Sequence, residues 1–194
     1  MQWIGLTGGV ATGKSTVAQI LRAQGCSVVD ADQLARQAIV KESEGFKQVV
    51  KVFGPEVLNS EGDLDRSWLG KVVFSDPKLR EKLEEIIHPI VRQLALAEKI
   101  RLESEGLDRA FYDIPLLFEK NLEALFDQVL LVYSPEEIQI ERMKTRDGFS
   151  EKEARQRLAV QVPIEEKKKR ADTVIENTGS LEDLEHSVLE YLRN

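Results

Sequence analysis

Residues 8–16 read Gly8-Gly9-Val10-Ala11-Thr12-Gly13-Lys14-Ser15-Thr16, a complete G-x-x-x-x-G-K-S-T series. Those residue types at that spacing can hold a polyphosphate. Glycines let the backbone turn so that successive N–H groups converge, and the helix that follows adds its own N-terminal amides. The stretch Gly9, Val10, Ala11, Thr12, Gly13, Lys14, Ser15 and Thr16 is therefore the expected nucleotide site. Lys14 would reach the terminal phosphates, with its charge serving those phosphates alone. The Ser15 hydroxyl would ligate the magnesium that travels with them. A plain glycine-rich turn between a strand and a helix is the alternative reading.

Carboxylates and guanidinium groups elsewhere could complete a phosphoryl-transfer site. Asp32 either orients an attacking hydroxyl or caps a helix, and Asp30 is held in reserve for the first role. Asp113 either holds magnesium through water or turns the end of a strand. Arg142 and Arg146 stand four apart, on one face of a helix, and Arg157 follows. Guanidinium groups there can fork onto phosphate oxygens and stack on adenine, or can simply be solvated. Lys167-Lys168-Lys169-Arg170 reads as a charged helix surface.

The elements that must position these groups follow from periodicity. Trp3–Thr7 is a short apolar run of strand length, and Val17, Ile20 and Leu21 recur at helical spacing as far as Gly25. Ser27–Asp30, Ala110–Asp113, Gln128–Tyr133 and Thr173–Glu176 give four further strands. Between Gln33 and Ser104 the pattern is helical, with breaks at Gly54-Pro55, Asn59–Gly62, Ser75–Pro77 and His88-Pro89, the last expected to end a helix. Ser134-Pro135-Glu136-Glu137 and Ser150-Glu151-Lys152-Glu153 both look like capped helix starts. Ser180 opens a terminal helix with Leu181, Leu184, Val188, Leu189 and Leu192 on one face. Strands alternating with helices predict a five-stranded parallel sheet covered on both faces, with ligands beyond the strands' carboxyl ends. The phosphate loop, Asp30 with Asp32, and Asp113 all fall at such ends.

Composition narrows the class. Hydrophobic residues at 42% and charged residues at 31% suit a globular chain with one core and insertions. No apolar run approaches the ~20 residues needed to span a bilayer, and no basic residue precedes the phosphate loop, so neither a membrane span nor a signal peptide is expected. Cys26 has no partner for an internal disulfide, which points to a reducing, cytoplasmic setting. The net charge of −7 argues against general nucleic-acid binding. Between Glu141 and Arg170, however, ten Lys or Arg face six Asp or Glu, leaving −11 on the remainder. Such a segment could close over a polyanion or could be two solvated helices.

An Asn-Lys-x-Asp base-reading segment is absent, which removes a GTPase switch from consideration. A small kinase, or a nucleotide-binding switch without transfer, remains. At this point four blocks in series resemble the dephospho-CoA kinase family: Gly5–Thr16, Val29-Asp30-Ala31-Asp32, Leu83–Pro89 and Asp113-Ile114-Pro115-Leu116-Leu117-Phe118-Glu119. The tail from Arg142 through Gln161-Val162-Pro163 to Asn177-Thr178-Gly179 continues the match. The resemblance implies a P-loop NTPase-type α/β fold with a helical acceptor-binding insertion and a helical lid. It divides the chain into core at 1–31, 108–140 and 171–194, acceptor (CoA) domain at 32–107 and lid at 141–170.

It also implies ATP and dephospho-CoA as substrates, magnesium as cofactor, no nucleic-acid or membrane partner, and a monomer or weak homo-oligomer. The implied catalytic residues are Asp32, Lys14 and Arg142. Arg142, Arg146 and Asn177 would join the loop in ATP binding, although Asn177 could equally be a turn former. Asp32, His88, Leu116 and Leu117 would meet the acceptor, although the residues alone favour a structural His88. Ser15 and Asp113 would hold the metal. Ala11 stands where glycine is common in that family, and little consequence is expected because alanine replaces glycine at negative φ.

Overall fold

A computed structural model describes residues Met1–Arg193. Its strands β1 (Gln2–Gly8), β2 (Ser27–Asp30), β3 (Arg109–Asp113), β4 (Gln128–Tyr133) and β5 (Thr173–Glu176) form one sheet in the order β2-β3-β1-β4-β5. β1 pairs in parallel with β3 on one side and β4 on the other, and β4 pairs in parallel with β5. Early strands thus lie to one side of β1 and late strands to the other. That reversal is where open α/β sheets bind ligands.

The strands are apolar along their length because both faces are covered. On one face Ile4, Leu6, Phe111, Leu130, Val132 and Ile175 pack with Val17, Ala18 and Leu21 of α1 (Lys14–Ala23) and with Leu184 and Val188 of α9 (Leu181–Arg193). On the other, the Trp3 and Tyr112 rings lie 5.5 Å apart and Tyr112 and Phe126 6.2 Å. Each fully buried aliphatic or aromatic side chain contributes about 1.5–3 kcal/mol. The loops at the strand ends are therefore mounted on a sheet packed on both faces.

The chain divides into two compact units. The first is Met1–Val29 with the chain from Leu102 onward; the second is Asp30–Arg101. The second unit thus begins and ends slightly before the 32–107 insertion expected from sequence, and residues 141–170 belong to the first. Within the second unit, α2 (Ala31–Ala38), α3 (Glu44–Phe53), α4 (Arg66–Ser75) and most of α5 (Pro77–Ser104) surround a core of Ile39, Val49, Val57, Leu69 and Ile86. Ser43 caps α3 by accepting from Phe46 N, and Asp65 caps α4 by accepting from Trp68 N. Gly45 sits so close to the Ala38 carbonyl that any side chain there would collide with it.

One expected break is missing. α5 runs straight through His88-Pro89. Proline removes one helix hydrogen bond and crowds the carbonyl four residues earlier, at about 3 kcal/mol. Ile86 before it and Ala95 after it are both buried, and ending the helix at His88 would give up one of those contacts. Tertiary packing outweighs the local preference.

After β4 come α6 (Glu136–Asp147), α7 (Glu151–Ala159) and α8 (Ile164–Arg170). The capping box at α7 forms as the sequence suggests, with Ser150 Oγ accepting from Glu153 N and Glu153 Oε2 accepting from Ser150 N. Ile140, Met143 and Ala154 pack together with Val10 and Ala11 of the phosphate loop. The segment expected to be a lid therefore shares a small core with the loop.

Candidate active site

The phosphate loop joins the end of β1 to the start of α1, and two of its residues hold positive φ. Gly13 sits at φ 92°, where a side chain would in addition run into Asn177 Nδ2. Ala11 sits at φ 59°. The expectation of negative φ at Ala11 is therefore wrong: alanine is kept in a left-handed conformation at roughly 1–2 kcal/mol. Neighbouring contacts hold it there. Thr12 N and Oγ1 both donate to Gly9 O, at 3.3 and 2.9 Å, closing the first turn of the loop.

Lys14 Nζ pairs with the Asp113 carboxylate, and the two side chains are only 15% and 8% exposed. The Lys14 charge thus has a protein partner as well as the phosphates expected for it. Ser15 lies at the second position of α1, with an exposed side chain.

Behind the loop lies a polar network. Arg142 Nη1 donates to Ser134 Oγ at 2.9 Å and to Ala11 O at 3.3 Å, while Nη2 donates to Asn177 O at 3.0 Å and Asn177 Oδ1 at 3.2 Å. Asn177 Nδ2 donates to Thr12 O at 2.8 Å, and Ser134 Oγ donates to Asn177 O at 2.7 Å. Burial lowers the Arg142 pKa from the usual arginine range. Ser134 is fully buried and does not cap α6, whose N-cap is Pro135 with no side-chain bond. Its hydroxyl is committed to this network instead. Arg142 is likewise no solvated lid cation: its planar fork spans the loop and the turn after β5.

The remaining charges of residues 141–170 pair mostly with nearby carboxylates. Arg146 makes a two-point contact with Asp147 at 2.8 Å through Nε and Nη2, Lys144 pairs with Glu141, and Arg155 pairs with Glu136 and Glu151. Arg170 pairs with Glu123. Arg157 makes no ion pair among the described residues and lies 4.1 Å from the centroid of the Phe149 ring. Tyr133 donates to Glu165 Oε1 at 2.6 Å, a bond that leads the causes pushing its pKa up to about 12, and Lys168 lies over the Tyr133 ring. Lys167 is fully buried, which corrects the reading of 167–170 as a surface run.

In the second unit, Asp30 rather than Asp32 caps α2: its Oδ1 accepts from Asp32 N at 2.9 Å and Gln33 N at 3.0 Å. Asp32 is exposed, and its carboxylate makes no hydrogen bond or ion pair among the described residues. The reserve role for Asp30 required extended backbone through both residues, but the chain is helical from Ala31. His88 is half-exposed on α5, with Nε2 4.0 Å from Glu84 Oε2. It does not line the cleft of about 540 Å³ bounded by Gln37, Gln48, Glu85, Pro89, Ile90 and Gln93, among others. Of the two leucines after Asp113, in the first unit, Leu116 is exposed and Leu117 is fully buried against Gly5. Leu117 is a core residue.

A family model described as CoaE: Dephospho-CoA kinase matches residues 2–183. Dephospho-CoA kinase from Anaeromyxobacter dehalogenans is 51% identical over 184 residues, 95% of this chain and 87% of that one. A crystal structure from Thermus thermophilus superposes with TM-score 0.81 at 44% identity, covering 99% of this chain and 96% of that one. Dephospho-CoA kinase from Campylobacter jejuni gives TM-score 0.76 at 30% identity, covering 98% and 95%. The chain belongs to the dephospho-CoA kinase family.

A divalent cation beside bound phosphates would draw on the donors around the loop. Ser15 and Asp113 supply one hydroxyl and one carboxylate, and no cluster of three or more His, Cys, Asp or Glu suited to a metal occurs among the described residues. That sparse set fits magnesium, which keeps several waters and takes one or two protein ligands beside phosphate oxygens. Sequence reasoning missed two residues that bond to carbonyl groups of the loop, Ser134 and Lys167. Ser134 was assigned to the wrong local role. Lys167 carried a usable signal: it lies three residues after Ile164, the one apolar residue of α8, and so shares its buried face.

Two outcomes follow for variants of this family member. Lys14→Ala should abolish ATP turnover and also lower unfolding free energy by about 1–3 kcal/mol, because the buried Asp113 oxygen loses a partner. Denaturant unfolding alongside ADP release checks both parts. Arg142→Lys should lower kcat/KM for ATP by roughly tenfold or more, since an ammonium cannot span four acceptors and a hydrogen bond to a charged group is worth about 1.5–3 kcal/mol. Steady-state kinetics against ATP would show an unchanged value if the fork were dispensable.

Proposed function

We propose that this chain transfers the terminal phosphoryl group of ATP to the ribose 3′-hydroxyl of dephospho-CoA, giving coenzyme A and ADP, the last step of CoA biosynthesis. The observation that carries the reading is a complete phosphate loop, with its lysine held beside Asp113, inside a chain that matches the family model over residues 2–183. Phosphoryl transfer asks little covalent chemistry of the protein. Positioning and charge do most of the work.

In this reading Gly9 to Thr16 wrap the phosphates, and Lys14 neutralises charge on the transferring group. Ser15 and Asp113 would hold magnesium, which would supply charge neutralisation at the phosphate oxygens. Arg142 and Asn177 shape the nucleotide side of the loop. Arg142 does so by holding the loop, which supports a positioning role more than that of a mobile finger. Arg157, without a carboxylate partner, is the guanidinium best suited to shield transferred charge when residues 141–170 close; Arg146 would first have to leave Asp147. Asp32 orients the acceptor hydroxyl, and its freedom from capping supports that duty. Phosphoryl transfer depends mainly on positioning, so orientation outweighs early deprotonation. His88 and Leu116 border the acceptor. We place the protein in the cytoplasm, as a monomer or weak homo-oligomer without a nucleic-acid partner; no helix among the described residues is long and apolar enough to cross a membrane.

Purified protein with MgATP should release ADP only when dephospho-CoA is added, and the product should carry the new phosphate on the 3′ oxygen. ATP binding with no acceptor-dependent turnover would overturn the proposal. Asp32→Asn should lower kcat by about 10²-fold or more with little change in the KM for ATP. Asp30→Ala, by contrast, should act on stability through the cap, with the larger effect on Tm, because alanine supplies no capping oxygen. Equal kinetic losses in the two variants would remove Asp32 from its role.

A further inference from the structure

Lys167 is the largest charged side chain that is fully buried, and nothing in the proposed chemistry employs it. Its ammonium lies 2.7 Å from Glu119 Oε1 and donates to Gly8 O at 3.3 Å. Glu119 Oε1 also accepts from Val162 N at 3.1 Å, in the connector between α7 and α8, while Oε2 is buried without a hydrogen-bond partner. One residue earlier in that connector, Gln161 Oε1 accepts from Val10 N at 3.1 Å. The amino-terminal half of the phosphate loop is thus gripped from α8 and its connector.

We infer that Lys167 is a positioning residue for ATP, acting through the Gly8 carbonyl to set the first peptide plane of the phosphate loop. A trans peptide is planar, so the Gly8 C=O and the Gly9 N–H point in opposite directions. Fixing the oxygen on Lys167 fixes that amide towards the opposite side. Stability alone does not account for a lysine here. Burying an ammonium costs several kcal/mol, and replacing a buried ion pair with well-packed neutral groups is often neutral or stabilising. Glu119 is what makes the ammonium tolerable, and Gly8 is what the ammonium holds. Glu119 in turn ends the Asp113–Glu119 stretch, so the segment that begins with the carboxylate facing Lys14 ends with the one facing Lys167.

The inference rests on the kinase reading only for its turnover measurement. Lys167→Met keeps most of the length of the side chain and removes the charge. It should raise the KM for ATP by between about tenfold and about a hundredfold, the size of one lost hydrogen bond to a charged group, and leave the KM for dephospho-CoA unchanged. Tm should fall too, because the partly buried Glu119 carboxylate loses its cation. The double variant K167M/E119Q removes both charges. Its Tm should recover towards wild type while the KM for ATP stays raised, which a purely structural role would not produce. K167R, which retains a cation and a donor, should lie closer to wild type than to K167M in its KM for ATP.

Recovery of the ATP KM together with Tm in K167M/E119Q, or a loss confined to kcat in proportion to unfolded protein, overturns the inference. If that double variant does not fold, K167R decides: a KM for ATP raised as far as in K167M overturns it. If wild-type protein shows no turnover with dephospho-CoA, the proposed function fails, and calorimetric titration of MgATP into the same variants then decides. Weaker binding in K167M/E119Q sustains the positioning role, and equal affinities remove it.

Discussion

A loop that turns its N–H groups towards phosphate must turn carbonyl groups the other way, into protein, where each needs a donor. Trans peptide planarity makes the two requirements one. Here Gly8 O takes Lys167, Gly9 O takes Thr12, Ala11 O takes Arg142, and Thr12 O takes Asn177. Those four donors come from α8, the loop itself, α6 and the turn after β5. Much of the carboxyl-terminal half of the chain is therefore tied to the shape of one loop near the amino terminus. An unsatisfied buried carbonyl costs about 1–3 kcal/mol, comparable with the strain at Ala11, so a handful of such bonds can hold the loop in a form it would not choose alone.

This constraint also separates what was legible in the sequence from what was not. The five strands, the loop, the α7 capping box and the helical character of 33–104 follow from local rules of period and turn chemistry, and they appear at the positions those rules indicate. Most of the misreadings share a cause. Ser134 looks like a cap, Lys167 like surface, Ala11 like a harmless exchange and His88-Pro89 like a helix end, each correct by local preference. For three of them a partner outside the local pattern decides instead: Asn177 for Ser134, Gly8 and Glu119 for Lys167, and the helical core around Ile86 for Pro89; at Ala11 the turn closed by Thr12 on Gly9 decides. Asp30 and Asp32 show the opposite. Local geometry alone resolves them, since one carboxylate is spent on the α2 amides and the other is left exposed.

The excess positive charge at 141–170, which looks from composition like a field aimed at a polyanion, is largely neutralised on the spot. Lys144, Arg146, Arg155, Lys168, Lys169 and Arg170 all face carboxylates. Exposed pairs of this kind are worth only about 0–1 kcal/mol and weaken with salt. On the proposed reading they can be exchanged for phosphate contacts at small cost, which would suit a segment that closes over the nucleotide. Composition identified the segment but not the device.

The two lysine–carboxylate pairs around the loop differ in a way that bears on their duties. Lys14 and Asp113 retain some exposure, whereas the Lys167 side chain has none. On the proposed reading, MgATP brings an anion for Lys14 and a cation for Asp113 in one complex, so each charge can change partners without either being stranded. The Lys14–Asp113 pair keeps both groups satisfied until then. Lys167 has no such exchange open to it, because releasing Glu119 would leave a fully buried ammonium without a counter-charge. Sequestration from water makes its contact permanent. One lysine is placed to meet the substrate, and the other to keep the backbone in the shape the first requires.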